Sequence, residues 1–456
     1  MCRVAPRILA ALLIAPGIGF LLLGLATSIP VLVLTGAAFL LGAWAARPRA
    51  LRVRGRATVF KAMIATLFAA AGSMAFGATA YVWWHSQPPG PDAFYSPPAV
   101  LPPAAGSLVR QEPYTRTVPS DARAWRILYT TTRSHDVATV ASALVLAPAA
   151  LPDGPRPVIM WTHGTTGTAP GCAPSVFTSP FEGNVPALAQ IVTQGWVVVL
   201  PDYAGLGTSG PHPYLIGEGE ARSALDAVRA ARQMKELTLH DRTIVWGHSQ
   251  GGHAALWTGM IAPAYAPDVN VIGVAALSPA TDLAVLANAV KETPVGKIVL
   301  SFIVTAYSAA YPDVRLDDYV GPRSRARAMA SRCLGGPGGL LSGLTALTME
   351  RAFFAHDPAS GPLGARLAEN TPRGPIPAAL LIAQGGTDRI VHSAMQDRFM
   401  RDRCDAGQDF DYWTYAGRDH DGLVAADSPL AADLMRWTRD VISGVPPVHG
   451  CHTVAR

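Results

Sequence analysis

Two apolar stretches dominate the first 84 residues. Residues 8–46 are uncharged, and residues 62–84 are too. The second stretch is long enough to cross a bilayer once. The first is too long for one crossing and breaks at Thr27-Ser28-Ile29-Pro30, so the pattern predicts three spans, at 8–26, 29–46 and 62–84. The rhythm then changes. Residues 87–113 carry eight prolines and little periodicity, which predicts a stiff, extended linker. From residue 114 to 456 short apolar runs alternate with amphipathic stretches. Residues 124–131 and 140–146 alternate as an antiparallel pair does. Residues 157–161, 196–200, 243–246, 271–277, 378–383 and 410–415 read as further strands, the last of these closing the series. Between them, 185–194 reads as a short helix and 429–442 as the final one. Residues 218–235 read as a long amphipathic helix, with Ala221, Leu225, Val228 and Met234 on one face and Arg222, Asp226, Arg229 and Arg232 on the other.

Strands alternating with helices predict an α/β fold, a mostly parallel sheet with helices on both faces. Ligands bind at the carboxyl ends of the strands of such a sheet. Residues 279–375 break the alternation. They hold helix-like pieces, a basic patch at 323–332 and the run Gly335-Gly336-Pro337-Gly338-Gly339. The apolar content of 297–311 argues against disorder, so this stretch is expected to be a helical cap inserted after the strand that ends at Ser278.

Charge sets the topology of the N-terminus. No acidic residue precedes Asp92, while Arg3, Arg7, Arg47, Arg49, Arg52, Arg54, Arg56 and Lys61 flank the apolar stretches. The positive-inside rule puts both basic clusters in the cytoplasm, so residues 1–86 form a membrane anchor and the rest lies outside. Tyr81, Trp83 and Trp84 then form an interfacial belt. A cleaved secretion signal is the alternative, but its apolar region should be short and single. Setting those eight residues aside leaves 29 of the 37 basic residues against 32 acidic ones, which removes any case for nucleic-acid binding. Beyond the spans lie four cysteines, Cys172, Cys333, Cys404 and Cys451. An even number in an extracytoplasmic domain suggests two disulfides. Of the three pairings, Cys172–Cys333 with Cys404–Cys451 is favoured by proximity to shared loops. No spacing suggests a metal site, and the sequence specifies no oligomeric state.

The chemistry centres on Gly247-His248-Ser249-Gln250-Gly251-Gly252. This run follows a strand and opens into an Ala-rich helical segment, the strand-turn-helix context of a nucleophile elbow. A serine nucleophile needs a base, and the base needs an orienting acid. Asp388, in the turn after strand 378–383, is the best acid, with Asp282 and Asp313 weaker rivals. His420, between strand 410–415 and the last helix, is the best base. His253 lies behind the elbow, His392 sits too near the acid, His356 lies in the cap, and His449 and His452 lie in the tail. Asp419 and Asp421 flank His420, and adjacent side chains seldom point the same way. An oxyanion hole needs two backbone N–H groups aimed at one point. Gln250 supplies one; the loop His163-Gly164-Thr165-Thr166-Gly167 supplies the other, from Thr165 or alternatively Thr166.

At these residues the chain from about residue 106 resembles the α/β-hydrolase superfamily. More narrowly it is similar to the secretory lipase family, the branch of lipase A-type enzymes. Besides the elbow and the loop at 163–167, the resemblance is carried by Cys172-Ala173-Pro174-Ser175, Pro201-Asp202-Tyr203-Ala204-Gly205-Leu206-Gly207 and His212-Pro213-Tyr214-Leu215. Leu225-Asp226-Ala227-Val228-Arg229-Ala230-Ala231-Arg232 continues it. It implies a lipid or ester substrate, a helical cap over the acyl pocket and no cofactor, and it supports the Cys172–Cys333 pairing. The three spans depart from a simple secretion signal. The expectation is a membrane-anchored extracytoplasmic lipase or esterase acting through Ser249, Asp388 and His420, or a secreted one. A serine peptidase or amidase on the same fold, and a non-catalytic membrane-anchored binding module, are the competing expectations. A transporter is disfavoured, because the spans carry no ionisable residue.

Overall fold

The computed structural model describes residues 90–181, 185–320, 329–334, 354–447 and 449–456, with a few isolated positions elsewhere. The chain divides into a unit of residues 1–87 with 336–341, and a unit of residues 88–335 with 342–456. Apart from isolated positions, the three expected spans lie outside the described residues, as do residues 87–89 of the expected linker and residues 323–328 and 335–338. Among the described residues no helix is long and apolar enough to cross a membrane.

The second unit is built on a ten-stranded sheet. Its strands are β1 (Leu108–Tyr114), β2 (Ala122–Thr132), β3 (Ala138–Pro148), β4 (Arg156–Thr162), β5 (Val197–Pro201), β6 (Leu239–His248), β7 (Val271–Leu277), β8 (Ala379–Gly385), β9 (Phe410–Tyr415) and β10 (Cys451–Ala455). Their order across the sheet is β1-β2-β3-β5-β4-β6-β7-β8-β9-β10. The first three run antiparallel to their neighbours, and everything from β5 to β10 is parallel. Alternation along each strand sorts the core onto two faces. Val158, Met160, Val197 and Val199 point to one face; Ile159, Trp161, Val198 and Leu200 point to the other. The helices α1 (Leu188–Thr193), α2 (Gly217–Ala231), α3 (Gln250–Tyr265), α8 (Ser393–Asp405) and α9 (Leu430–Ile442) cover them. Between β7 and β8 stand α4 (Leu283–Val290), α5 (Pro294–Ala310), α6 (Leu316–Tyr319) and α7 (Gly361–Glu369), with no strand among the described residues. These four share their own apolar cluster, which includes Leu286, Phe302, Tyr307 and Leu367, together with Tyr214, Leu215 and Ile216.

Three expectations change. Residues 108–113, expected in a linker, form most of β1, and Phe94 and Tyr95 are buried. Tyr95 hydroxyl meets Ser175 Oγ at 2.8 Å, and Arg126 stacks over the Phe94 ring at 4.2 Å while pairing with Asp92 and Glu112. Two aromatic side chains supply enough apolar area to dock a proline-rich segment. Strand 410–415 is not the last: β10 pairs with it in parallel, at an edge where its residues are mostly exposed and leave no apolar signal. The polar face of α2 is not solvated. Asp226 is fully buried, accepting from Thr131 Oγ1 and the Tyr265 hydroxyl, each at 2.7 Å, and pairing with Arg229.

Two disulfides, Cys172–Cys333 and Cys404–Cys451, close segments of 161 and 47 residues. A cross-link stabilises chiefly by restricting the unfolded chain. The double variant Cys404→Ser/Cys451→Ser should lose about 2–4 kcal/mol in urea unfolding; an unchanged midpoint would show that β10 is held by its hydrogen bonds alone.

Candidate active site

The site forms where β6, β8 and β9 end on the same edge of the sheet. Ser249 follows β6 directly, with φ 59° and ψ −117°. That strained conformation at a non-glycine residue needs a surround that over-determines it. Ser249 N–H donates to the Leu277 carbonyl at 2.9 Å, and its own carbonyl accepts from His253 N–H at 3.1 Å and Ala280 N–H at 3.2 Å. Thr162, the last residue of β4, donates its hydroxyl to Gly251 O at 2.8 Å, with Trp246 O at 3.0 Å. A Cβ on Gly247 would overlap Gly251 O and Thr162 Oγ1, and one on Gly251 would overlap Thr162 O.

His420 sits five residues beyond β9. Its Nδ1 meets Asp388 Oδ2 at 2.7 Å and its Nε2 meets Ser249 Oγ at 2.9 Å. An ionised carboxylate can only accept, so Nδ1 carries the proton and the Nε2 lone pair faces the serine hydroxyl. Asp388 Oδ1 accepts from Ile390 N–H at 2.8 Å and Val391 N–H at 2.9 Å, and Oδ2 also accepts from Gln384 Nε2 at 3.2 Å. Burial alone would raise this carboxyl. The His420 contact and the two N–H donors outweigh it and hold it below the usual range. Asp388 and His420 are each 6% exposed, so water competes little for the pair.

The loop after β4 lies against the elbow. A Cβ on Gly164 would stand 3.3 Å from His248 O and 3.8 Å from Ser249 Cβ. Thr165 Oγ1 is tied to the Tyr214 hydroxyl at 2.8 Å, while Thr166 O accepts from Leu334 N–H at 2.8 Å. Gln250 opens α3, so its N–H is one of the first-turn donors without a helical partner. Of the rivals, Asp282 caps α4 through Val285 N–H and Asp313 pairs with Arg366.

Two contributors escape sequence reasoning. Gln384 is one; the other is His248, whose Nε2 donates to the His420 carbonyl at 3.0 Å and whose ring lies 4.7 Å from the His420 ring. Burial, with His420 nearby, holds His248 down at about 3, hence neutral. Its place inside the elbow was the available signal. His248, His420 and Asp421 bring potential ligand atoms within 4.8 Å of one another, yet both His420 nitrogens are already engaged.

Sheet order, the strand-turn-helix elbow and the hydrogen-bonded row Ser249, His420 and Asp388 are those of the α/β-hydrolase class. Within it the chain resembles the secretory lipase family, whose profile matches residues 175–336. A secreted triacylglycerol lipase of Malassezia globosa is 29% identical over 242 residues, 50% of this chain and 51% of that protein. A protein of Mycobacterium tuberculosis named as a probable inactive lipase is 27% identical over 240 residues, 49% of this chain and 53% of its own. The chain thus spans about half the length of these two relatives. Candida antarctica lipase A in its closed state superposes with a TM-score of 0.65 at 21% identity, over 79% of this chain and 89% of the other; the likeness is one of fold.

Two outcomes are expected. Gly251→Ala drives a methyl group into β4 and should lower the unfolding free energy by about 3 kcal/mol or more; a urea midpoint equal to wild type would contradict the close approach. The second concerns acid. Burial holds His163 at about 4 and His212 at about 3, as it does His248. In the unfolded chain each would protonate at about 6.5. The unfolded state therefore takes up protons first, and each histidine removes stability as pH falls below that value. Asp202, raised by burial to about 6, acts in the opposite sense below that pH. Unfolding curves of wild type and His248→Asn isolate one histidine. The variant should lose less stability between pH 6.5 and 4.5, by about 1.4 kcal/mol per pH unit; parallel curves would mean that His248 is not buried neutral.

Proposed function

We propose that this protein is a carboxylic ester hydrolase of the lipase or esterase type, acting on lipid esters through a covalent acyl-enzyme. The observation that carries the reading is the pair of contacts from His420, 2.9 Å to Ser249 Oγ and 2.7 Å to Asp388 Oδ2. His420 Nε2 takes the hydroxyl proton as Ser249 Oγ attacks the ester carbonyl. Asp388 keeps the imidazole in that tautomer and stabilises its charge. The N–H groups of Gln250 and Thr165 receive the oxyanion, and the positive end of α3 points the same way. His420 then returns the proton to the leaving alcohol. Water, deprotonated by the same nitrogen, cleaves the acyl-serine and frees the acid. The secretory lipase match and the triacylglycerol lipase of Malassezia globosa support an ester of a fatty acid.

The catalytic part is held outside the cytoplasm by the N-terminal spans; the acid-free, arginine-flanked apolar stretches support this. The two disulfides support an oxidising compartment. The secreted form known from relatives is the alternative. The name of the Mycobacterium tuberculosis relative favours a second reading, a non-catalytic module with an idle elbow.

Full-length protein and Ser249→Ala, recovered from the membrane fraction and assayed in detergent on p-nitrophenyl esters from acetate to palmitate, separate these. Wild type should turn over, and the variant should lose about 10⁴-fold or more in kcat. No turnover together with no labelling of Ser249 by a phosphonate probe would leave the non-catalytic reading. Recovery only in the soluble fraction would remove the anchor.

A further inference from the structure

Beneath the elbow lies a second polar cluster that the acyl-transfer scheme does not use. Glu220, on the first turn of α2, is fully buried. Its Oε1 accepts from Gln250 Nε2 at 2.6 Å and from Leu215 N–H at 3.0 Å, and its Oε2 meets His253 Nδ1 at 3.3 Å. The protons can be counted. His253 Nε2 lies 2.8 Å from the Asn370 carbonyl, which can only accept, so Nε2 holds a proton. The contact between His253 Nδ1 and Glu220 Oε2 therefore needs one more proton, shared by the two groups, and the pair is neutral overall. Gln250 Nε2 spends its other hydrogen on His212 Nε2 at 3.2 Å, which leaves His212 Nδ1 as donor to the Ala204 carbonyl at 3.3 Å. The amide oxygen of Gln250 has no partner among the described residues. Turned the other way, that oxygen would face Glu220 Oε1.

Both oxyanion donors of the proposed hydrolase hang from this carboxyl. Gln250 does so through its own side chain. Thr165 does so through the Tyr214 hydroxyl, carried by the residue next to Leu215. Asn370, which ends α7, links the same cluster to the cap, accepting from His253 and from Trp257 Nε1 through its carbonyl and from Gly217 N–H through its side chain. We propose that Glu220 is a positioning residue that sets the aim of both oxyanion N–H groups through Gln250 and Leu215. The inference rests on the ester-hydrolase reading. Its competitor is a purely local role, a glutamate that caps α2 by reaching back to Leu215 N–H.

The test uses the full-length protein and p-nitrophenyl butyrate. Glu220→Met removes every acceptor, and kcat should fall about 10- to 100-fold with KM within about threefold. Glu220→Gln should restore most of that loss. Its amide oxygen can accept from Gln250 and Leu215, and its NH₂ can donate to His253 Nδ1 in place of the shared proton. Gln250→Met leaves Glu220, its bond to Leu215 and the α2 cap in place and cuts only one of the two tethers, so kcat should fall by part of that loss, about threefold or more; it carries the test if Glu220→Met does not fold. A folded Glu220→Met or Gln250→Met with kcat within twofold of wild type overturns the proposal. So does a loss confined to KM, or a Glu220→Gln as impaired as Glu220→Met. If wild type cleaves the ester no faster than Ser249→Ala, the hydrolase reading fails and takes this inference with it. If wild type depends on Ser249 and the Glu220 variants do not differ from it, only this inference falls.

Discussion

The structure turns on the contact between the end of β4 and the first turn of α3. Thr162 reaches into the elbow with its hydroxyl while its main chain passes so close to Gly251 that no side chain fits there. Two consequences follow from one approach. It locks the turn that holds Ser249 at positive φ, and it brings the loop 163–165 alongside the serine. Ser249 and the loop 163–165 are thus set by the same van der Waals limit. Placing β4 beside β6 in parallel register, with Trp161 opposite Trp246, is what the sheet order contributes to it.

Around that contact the site is assembled from strand ends. Ser249, Asp388 and His420 each sit in the first few residues beyond a parallel strand, and β6, β7, β8 and β9 are neighbours in order. Residues far apart in the chain therefore meet on one edge without long loops. The buried carboxyls behind them are well supplied with donors: Asp388 has four, and Asp202 is held by Ser142 and Ser175. Such satisfaction is what lets carboxylates persist in a dry interior.

This arrangement explains what could be read in the sequence. Strands of four to eight apolar residues were legible because burial on both faces makes them nearly continuous. The order Ser, Asp, His was legible because each residue follows such a strand, and the elbow because its glycines sit where no side chain fits. The docking of Phe94 and Tyr95 was masked by the prolines around them, and β10 was masked by its exposure. Glu220, Gln384 and Asp226 were not legible for another reason. Each sits in an amphipathic or apolar context, and its meaning comes from partners such as Gln250, Asp388 and Tyr265 that only the fold brings near.

The Cys172–Cys333 bridge turns part of the chain into a covalent ring that contains Ser249 but neither Asp388 nor His420. A protease that cuts once anywhere between residues 172 and 333, α4 to α6 included, opens the ring without separating the pieces. The fragments stay joined through sulfur, and Ser249 keeps its attachment to the half that carries Asp388 and His420. The bridge makes a nicked chain still one molecule until a reductant reaches it.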